Sequence, residues 1–229
     1  MSRYVPFPSR QKSCGFPVSC WRQLTECYAE QHWKGVHIDK SPFELALYPM
    51  LIHEFRFSTI IEIGSGDGGS ALWLADMLDD RDECQVISLD IDDERWDSRA
   101  VTNHRIQFIC GDCYAIEDAL PIDMLAELTH PLLVIEDAHV NLAGVLSHLD
   151  KYCLKCNDYL IIEDTNLDIC DVWSDWPDKA YLERLRSKYD VLAAWLDAPR
   201  SNRYLVDSFY LDLFGYNTSK QWNSIFRVC

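Results

Sequence analysis

Basic side chains are scarce in this chain: 21 Lys and Arg stand against 37 Asp and Glu, for a net charge of −16. A nucleic-acid binder needs clustered Lys and Arg to neutralise phosphates, and no such cluster is present. No apolar run is long enough to span a bilayer. The opening stretch, MSRYVPFPSRQKSCGF, lacks the apolar core of a secretory signal. These absences predict a cytoplasmic protein whose partner is a small molecule rather than nucleic acid or membrane. Internal repeats and low-complexity segments are missing as well.

What is present is ordinary for a globular domain. The 229 residues are 48% hydrophobic and 25% charged, enough for one full core. Acidity aids solubility and favours cationic ligands and metal ions. Ten cysteines without an export signal are expected as reduced thiols. Two C-x-x-C pairs, Cys110–Cys113 and Cys153–Cys156, raise structural zinc. The spacer between them exceeds that of a zinc ribbon, and Cys110 ends a predicted strand, which weighs against it.

Along the chain the apolar period alternates between strand and helix. Residues 1–20 hold three prolines and no periodicity, so an arm is expected there, followed by a helix over 21–32. KSPFELALYPMLIHEF reads as a helix capped by Ser41, with Pro42 at its first position and Glu44 completing a capping box. Pro49 should bend or break it. Apolar runs follow at 59–63, 86–90, 106–109, 132–136 and 159–163, with helical stretches between. Ala71, Leu74, Ala75 and Leu78 share one helical face, as do Leu142, Val145, Leu146 and Leu149. Near-continuous apolar runs are what a parallel sheet covered on both faces requires. The alternation predicts an open α/β sheet with its ligand beyond the carboxyl ends of the strands. A helix is expected over 178–188, and SFYLDLFGYN and SIFRV read as two closing strands.

Gly64, Gly66 and Gly69 follow the first run in a G-x-G-x-x-G spacing, shared by nicotinamide, flavin and other nucleotide sites. Glu62 lies two residues ahead of the first glycine. A carboxylate there would repel a pyrophosphate and suits a ligand with a cationic end, such as S-adenosylmethionine (SAM). Asp90 ends the second run, where an acid binds ribose hydroxyls of either cofactor. Asp112, after the third, is placed to reach an adenine edge; the plainer alternative is that Glu62 and Asp112 are exposed loop acids. Ser65, Asp67 and Ser70 complete the predicted cofactor-binding set.

LLVIEDAH and YLIIEDTN each run an apolar strand directly into Glu-Asp. Adjacent strands would bring Asp137, Glu163 and Asp164 to one rim, where their repulsion calls for a cation. Oxygen ligands point to a hard ion such as Mg²⁺. Glu163 depends on where the strand stops, since adjacent strand side chains face opposite ways. His139, two residues past Asp137, is a candidate general base, or else a surface histidine. A rival iron site would need a second histidine, and His148 is expected to face away. Trp173 and Trp176, just past the metal strand, are expected either to cover a substrate or to close a small core.

These phrases carry a resemblance. WKGVHIDKSPFELALYPMLIHEFR, IIEIGSGDGGSALWLADML, VISLDID, LLVIEDAH and YLIIEDTN together resemble the cephalosporin hydroxylase/rhamnosyl O-methyltransferase family. Its members are class I, SAM-dependent, metal-assisted methyltransferases of bacterial secondary metabolism. The resemblance implies a Rossmann-like, mostly parallel, seven-stranded sheet with an N-terminal helical cap. It implies residues 1–32 as arm and helix, and 33–229 as the methyltransferase domain. Glu62, Gly64, Gly66 and Asp90 would line the SAM site, and Asp137, Glu163 and Asp164 would hold Mg²⁺ or another divalent cation. His139 would take the proton, although the family often has Asp-Ser-Asp-His where this chain has Asp137-Ala138-His139. The expected function is O-methylation of a natural-product or sugar hydroxyl, or of a carboxyl, by a chain able to form a homo-oligomer. An NAD(P)-dependent oxidoreductase and a non-catalytic SAM-binding subunit are the alternatives.

Overall fold

The structure, a computed structural model, describes residues 2–28, 30–79, 84–175, 177–197 and 199–229. Its strands are β1 (Tyr4–Pro6), β2 (Thr59–Ile63), β3 (Gln85–Asp90), β4 (Ile106–Cys110), β5 (Leu132–Glu136), β6 (Tyr159–Ile162), β7 (Tyr204–Asp207) and β8 (Ile225–Val228). They form one sheet in the order β1-β7-β8-β6-β5-β2-β3-β4. The pairs β2–β3, β3–β4, β2–β5 and β5–β6 are parallel. The pairs β8–β6, β8–β7 and β1–β7 are antiparallel. This is the expected Rossmann-like class I methyltransferase architecture with one strand added. Every residue of β2, β5 and β6 is buried, as the unbroken apolar runs predict for strands covered on both faces.

The extra strand comes from the proline-rich arm. Tyr4 pairs opposite Asp207, and the reason lies one residue earlier. Arg3 donates to both oxygens of the buried Asp207 carboxylate at 2.9–3.1 Å and to Glu54 at 2.6 and 3.1 Å. An apolar period cannot announce three residues fixed by one guanidinium.

Helix α1 spans Val18–Tyr28, and α2 spans Pro42–Phe55 with the predicted capping box formed. Helix α2 runs through Pro49 rather than breaking. Proline withholds only the bond to the carbonyl of Leu45, while Leu47, Tyr48, Leu51 and Ile52 hold the same stretch in the core. Helix α3 (Gly69–Met77) is buried from Gly69 to Ala75. A β-carbon on Gly69 would overlap the His37 carbonyl oxygen, so only glycine lets the two-stranded ribbon His32–Trp33/Val36–His37 lie against this helix. Helix α4 (Leu142–Tyr152) buries the predicted Leu142, Val145, Leu146 and Leu149.

The C-terminal third departs most from the sequence reading. Helix α5 is Leu167–Val172, and α6 runs from Lys179 to Trp195, beyond the expected 188. SFYLDLFGYN opens as a helical turn, Ser208–Leu211, because the Asp207 side chain caps it through the Phe209 N–H. The strand precedes it, at β7. The four C-x-x-C cysteines are free thiols, and none belongs to a metal-type cluster among the described residues. Among those residues no helix is long and apolar enough to cross a membrane.

Trp173 packs against two small cores, one of Trp21, Ile169 and Val172, the other of Cys170, Leu182 and Leu185. It closes the joint between α1, α5 and α6 and does not line the main cavity; Trp176 lies outside the described residues. Trp173→Ala should therefore cost about 2–3 kcal/mol in denaturant unfolding with KM for any substrate unchanged. A raised KM at unchanged stability would return Trp173 to the binding site.

Candidate active site

A cavity of about 600 Å³ opens beyond the carboxyl ends of the parallel strands. Its floor begins at the glycine turn. Gly64 has φ +103°, and a β-carbon there would lie 2.7–2.9 Å from the backbone of Asp137 and Ala138. The missing side chain thus lets the β2 loop and the β5 loop share one wall. The Gly66 N–H donates to Asp90 Oδ2 at 2.8 Å, and Asp92 N–H to Asp90 Oδ1 at 3.1 Å. Asp90 lines the cavity and keeps lone pairs for ligand hydroxyls. Asp112 also lines it, with one oxygen capping the Tyr114 N–H. Ser65, Asp67 and Ser70 stand on the same wall. Asp67 is held by Arg95 and by His37 at 3.1–3.2 Å.

Glu62 is placed differently from the expectation. It is fully buried beneath the turn and absent from the cavity lining. Ser88 Oγ donates to it at 2.7 Å and meets Ser65 Oγ at 2.6 Å, so Glu62 supports the turn from below. Burial pushes its carboxyl up to about 7.

At the far end of the cavity the two Glu-Asp steps separate by residue. The first acid of each turns inward to a buried lysine. Glu136 pairs with Lys188 at 2.9 Å, and Glu163 with Lys40 at 2.7 Å. Glu163 also accepts from Tyr48 OH at 2.7 Å. The second acid of each faces the cavity. Asp164 does so because its backbone is left-handed, φ +55°, which ends the alternation of β6 and swings its carboxylate toward Asp137. Of the three expected metal ligands, then, Asp137 and Asp164 come together and Glu163 does not: it points to the opposite side, with Lys40 between it and Asp137 Oδ2 (2.7 Å).

His139 completes the cluster. One side-chain atom each from Asp137, His139 and Asp164 lies within 4.8 Å of the others. Its Nε2 is 3.4 Å from Asp137 Oδ1 and 3.5 Å from Asp164 Oδ2. Its Nδ1 is 2.8 Å from Lys188 Nζ. Burial, and then Lys188, push its proton affinity well below that of an ordinary histidine. His148, the second histidine of the rival iron site, bonds the Leu120 carbonyl instead.

Charge balance favours a cation here. Burial pushes Asp164 up to about 6 and Glu163 up to about 8. Asp137 is buried too, but Lys40 and then His139 hold it below the usual carboxylate range. Asp164 Oδ1 is buried without a hydrogen bond, its nearest cation Lys220 at 3.6 Å. Three lysines face four acids (Glu136, Asp137, Glu163, Asp164), so the cluster carries net negative charge only when all four are ionised, the state a bound cation would stabilise. The donors fit a divalent ion.

Lys40, Lys188, Lys220, Glu136 and Tyr181 escaped the sequence reading. Glu136 alone had a signal, as the twin of Glu163 in the repeated Glu-Asp phrase. Tyr181 lines the cavity, its ring edge-on to His139 at 5.6 Å.

Known proteins bear on this arrangement. The model of the family Rhamnosyl O-methyltransferase/CmcI matches residues 25–209. A rhamnosyl O-methyltransferase of Mycobacterium leprae is 31% identical over 140 residues, 59% of this chain and 61% of that protein. One of Mycobacterium bovis is 25% identical over 152 residues, 65% of this chain and 62% of that protein. The chain thus spans about three fifths of these curated relatives. A CmcI structure with Mg and SAM aligns with TM-score 0.66 at 25% identity, covering 100% of this chain and 92% of that one. A CmcI apo-structure aligns with TM-score 0.65 at 26% identity, covering 96% and 86%.

The buried Glu62 sets a stability test. Its folded value of about 7 exceeds the ordinary 4.5, so the unfolded chain gives up this proton first as pH rises. Stability is full below about 4.5 and is lost as pH climbs through about 7, by on the order of 3 kcal/mol. Glu62→Gln, which keeps an acceptor for Ser88, should flatten that part of the pH–stability curve. Parallel curves for the two proteins would contradict the assignment.

Proposed function

The chain belongs to the Rhamnosyl O-methyltransferase/CmcI family, and from that premise we propose that it transfers a methyl group from SAM to a hydroxyl oxygen of a small molecule. One observation carries the reading: a single cavity joins the glycine turn and Asp90 to the Asp137–His139–Asp164 cluster. Donor and acceptor would therefore share one space. The CmcI structure with Mg and SAM and the rhamnosyl acceptor in the relatives' names support the same reading.

Methyl transfer is a displacement at carbon, so nucleophile, methyl and sulfur must lie in line. The glycine turn admits the donor close to the backbone, and Asp90 offers its ribose an acceptor. Asp112 stands at the adenine end. Asp137 and Asp164 would hold the divalent cation, with His139 beside them. When bound, such an ion lowers the pKa of an acceptor hydroxyl. Tyr181 and Lys220 close the acceptor end, where a sugar hydroxyl finds polar partners. We take residues 33–229 as the catalytic unit and 1–32 as its arm. Free cysteines suit the reducing cytoplasm, and a homo-oligomer is the partner state to test by light scattering.

Calorimetry should show SAM and its demethylated product binding while NADH does not; the reverse pattern would restore the oxidoreductase reading. With a panel of hydroxylated acceptors, rhamnosides included, turnover should vanish in excess chelator and return with Mg²⁺, SAM affinity changing little. Asp164→Asn should behave like chelated enzyme. Full turnover in that variant would reduce the cluster to a solvated rim.

A further inference from the structure

Lys188 lies on α6, 3% exposed. Its Nζ is 2.9 Å from Glu136 Oε2, 3.4 Å from the Glu136 carbonyl oxygen and 2.8 Å from His139 Nδ1. An ammonium has only hydrogens to offer, so the contact with Nδ1 requires a lone pair on that nitrogen. A neutral Lys188 could instead accept from an Nδ1–H, but it would leave the fully buried Glu136 carboxylate without its cation, a costly state. The same glutamate accepts the His139 backbone N–H through Oε1 at 3.2 Å, holding that residue at φ +59°. Glu136 therefore fixes the histidine twice, by its main chain directly and by its ring through Lys188.

We propose that Glu136 and Lys188 lock His139 in its Nε2–H tautomer, so that the ring presents a hydrogen-bond donor to the cavity and the cation-holding groups are the carboxylates alone. Nε2 stands almost equidistant from Asp137 Oδ1 and Asp164 Oδ2, at 3.4 and 3.5 Å, so a proton on it faces both carboxylates. This rests on the functional reading above and deepens it. Three ligand-type side chains converge, but only two carry a free lone pair. The site then selects hard, oxygen-seeking ions over those that gain from imidazole. Lys188 is a positioning residue: it acts on the cavity through the ring it orients, as outer partners of metal-site histidines do.

Long-range ¹H–¹⁵N correlation spectra of the labelled full chain, recorded metal-free and with Mg²⁺, read the tautomer directly. The His139 signals are identified by their loss in His139→Gln. Protonated Nε2 and unprotonated Nδ1 are expected in both states. The double variant Glu136→Gln/Lys188→Met removes both buried charges together. It should keep its fold by circular dichroism, and its His139 should show mixed or Nδ1–H signals. Lys188→Arg, which retains a donor, should restore Nε2–H. An Nδ1–H or doubly protonated ring in the wild type overturns the proposal. So does an Nε2–H signal unchanged in the folded double variant. The spectra need neither SAM nor turnover, so failure of methyl transfer and failure of the tautomer lock are separable.

Discussion

The arrangement beyond the strand ends depends on burying carboxylates against lysines that come from elsewhere in the chain. Lys40 bridges Asp137 and Glu163, and Lys188 neutralises Glu136. Each charge alone would be prohibitive in this interior, and truncating one member of such a pair costs about 3–5 kcal/mol. Once paired, the inward acids become fixed struts, and the outward Asp137 and Asp164 are held by what lies behind them. Lys40 immediately precedes the cap of α2, and Lys188 sits in α6. Both helices are thus oriented against the sheet by charge as well as by apolar packing.

Much of the fold was legible because its signal is local. The apolar runs of β2, β5 and β6, the glycine turn and the Ser41–Glu44 capping box are patterns within a few residues. The same holds for Asp90 and Asp112, which are placed by strand ends. The rest is set at long range. Lys40 meets Asp137 and Glu163 from 97 and 123 positions away. The strand β1 exists because of Asp207. The split between Glu163 and Asp164 turns on one left-handed backbone angle, which no alternation rule supplies. Glu62 was expected at the ligand because its position along the strand was right. That it faces down rather than up is a matter of sheet face, and the hydroxyls of Ser88 and Ser65 that receive it are read only in three dimensions.

Strain gathers at the cluster. His139, Asn141 and Asp164 all hold positive φ without being glycine, which costs of order 1–3 kcal/mol each. His139 is held by Glu136, and the Asn141 side chain donates to the Cys113 carbonyl at 2.7 Å. The loop after β5 is therefore anchored on one side to the acid–lysine network and on the other to the wall beside Asp112. The two ends of the cavity are mechanically joined through it.

The Arg3 contacts have a consequence for the order of assembly. Among the described residues β1 pairs with β7 alone, so its partner is made some two hundred residues later, from Tyr4 to Asp207. Until then the β1 segment has no edge to join, and the parallel core must form without it. Closure of that edge, by one guanidinium and three residues of ladder, is a late event in biosynthesis. It then covers an edge of β7 that would otherwise be open to pairing with a neighbouring chain.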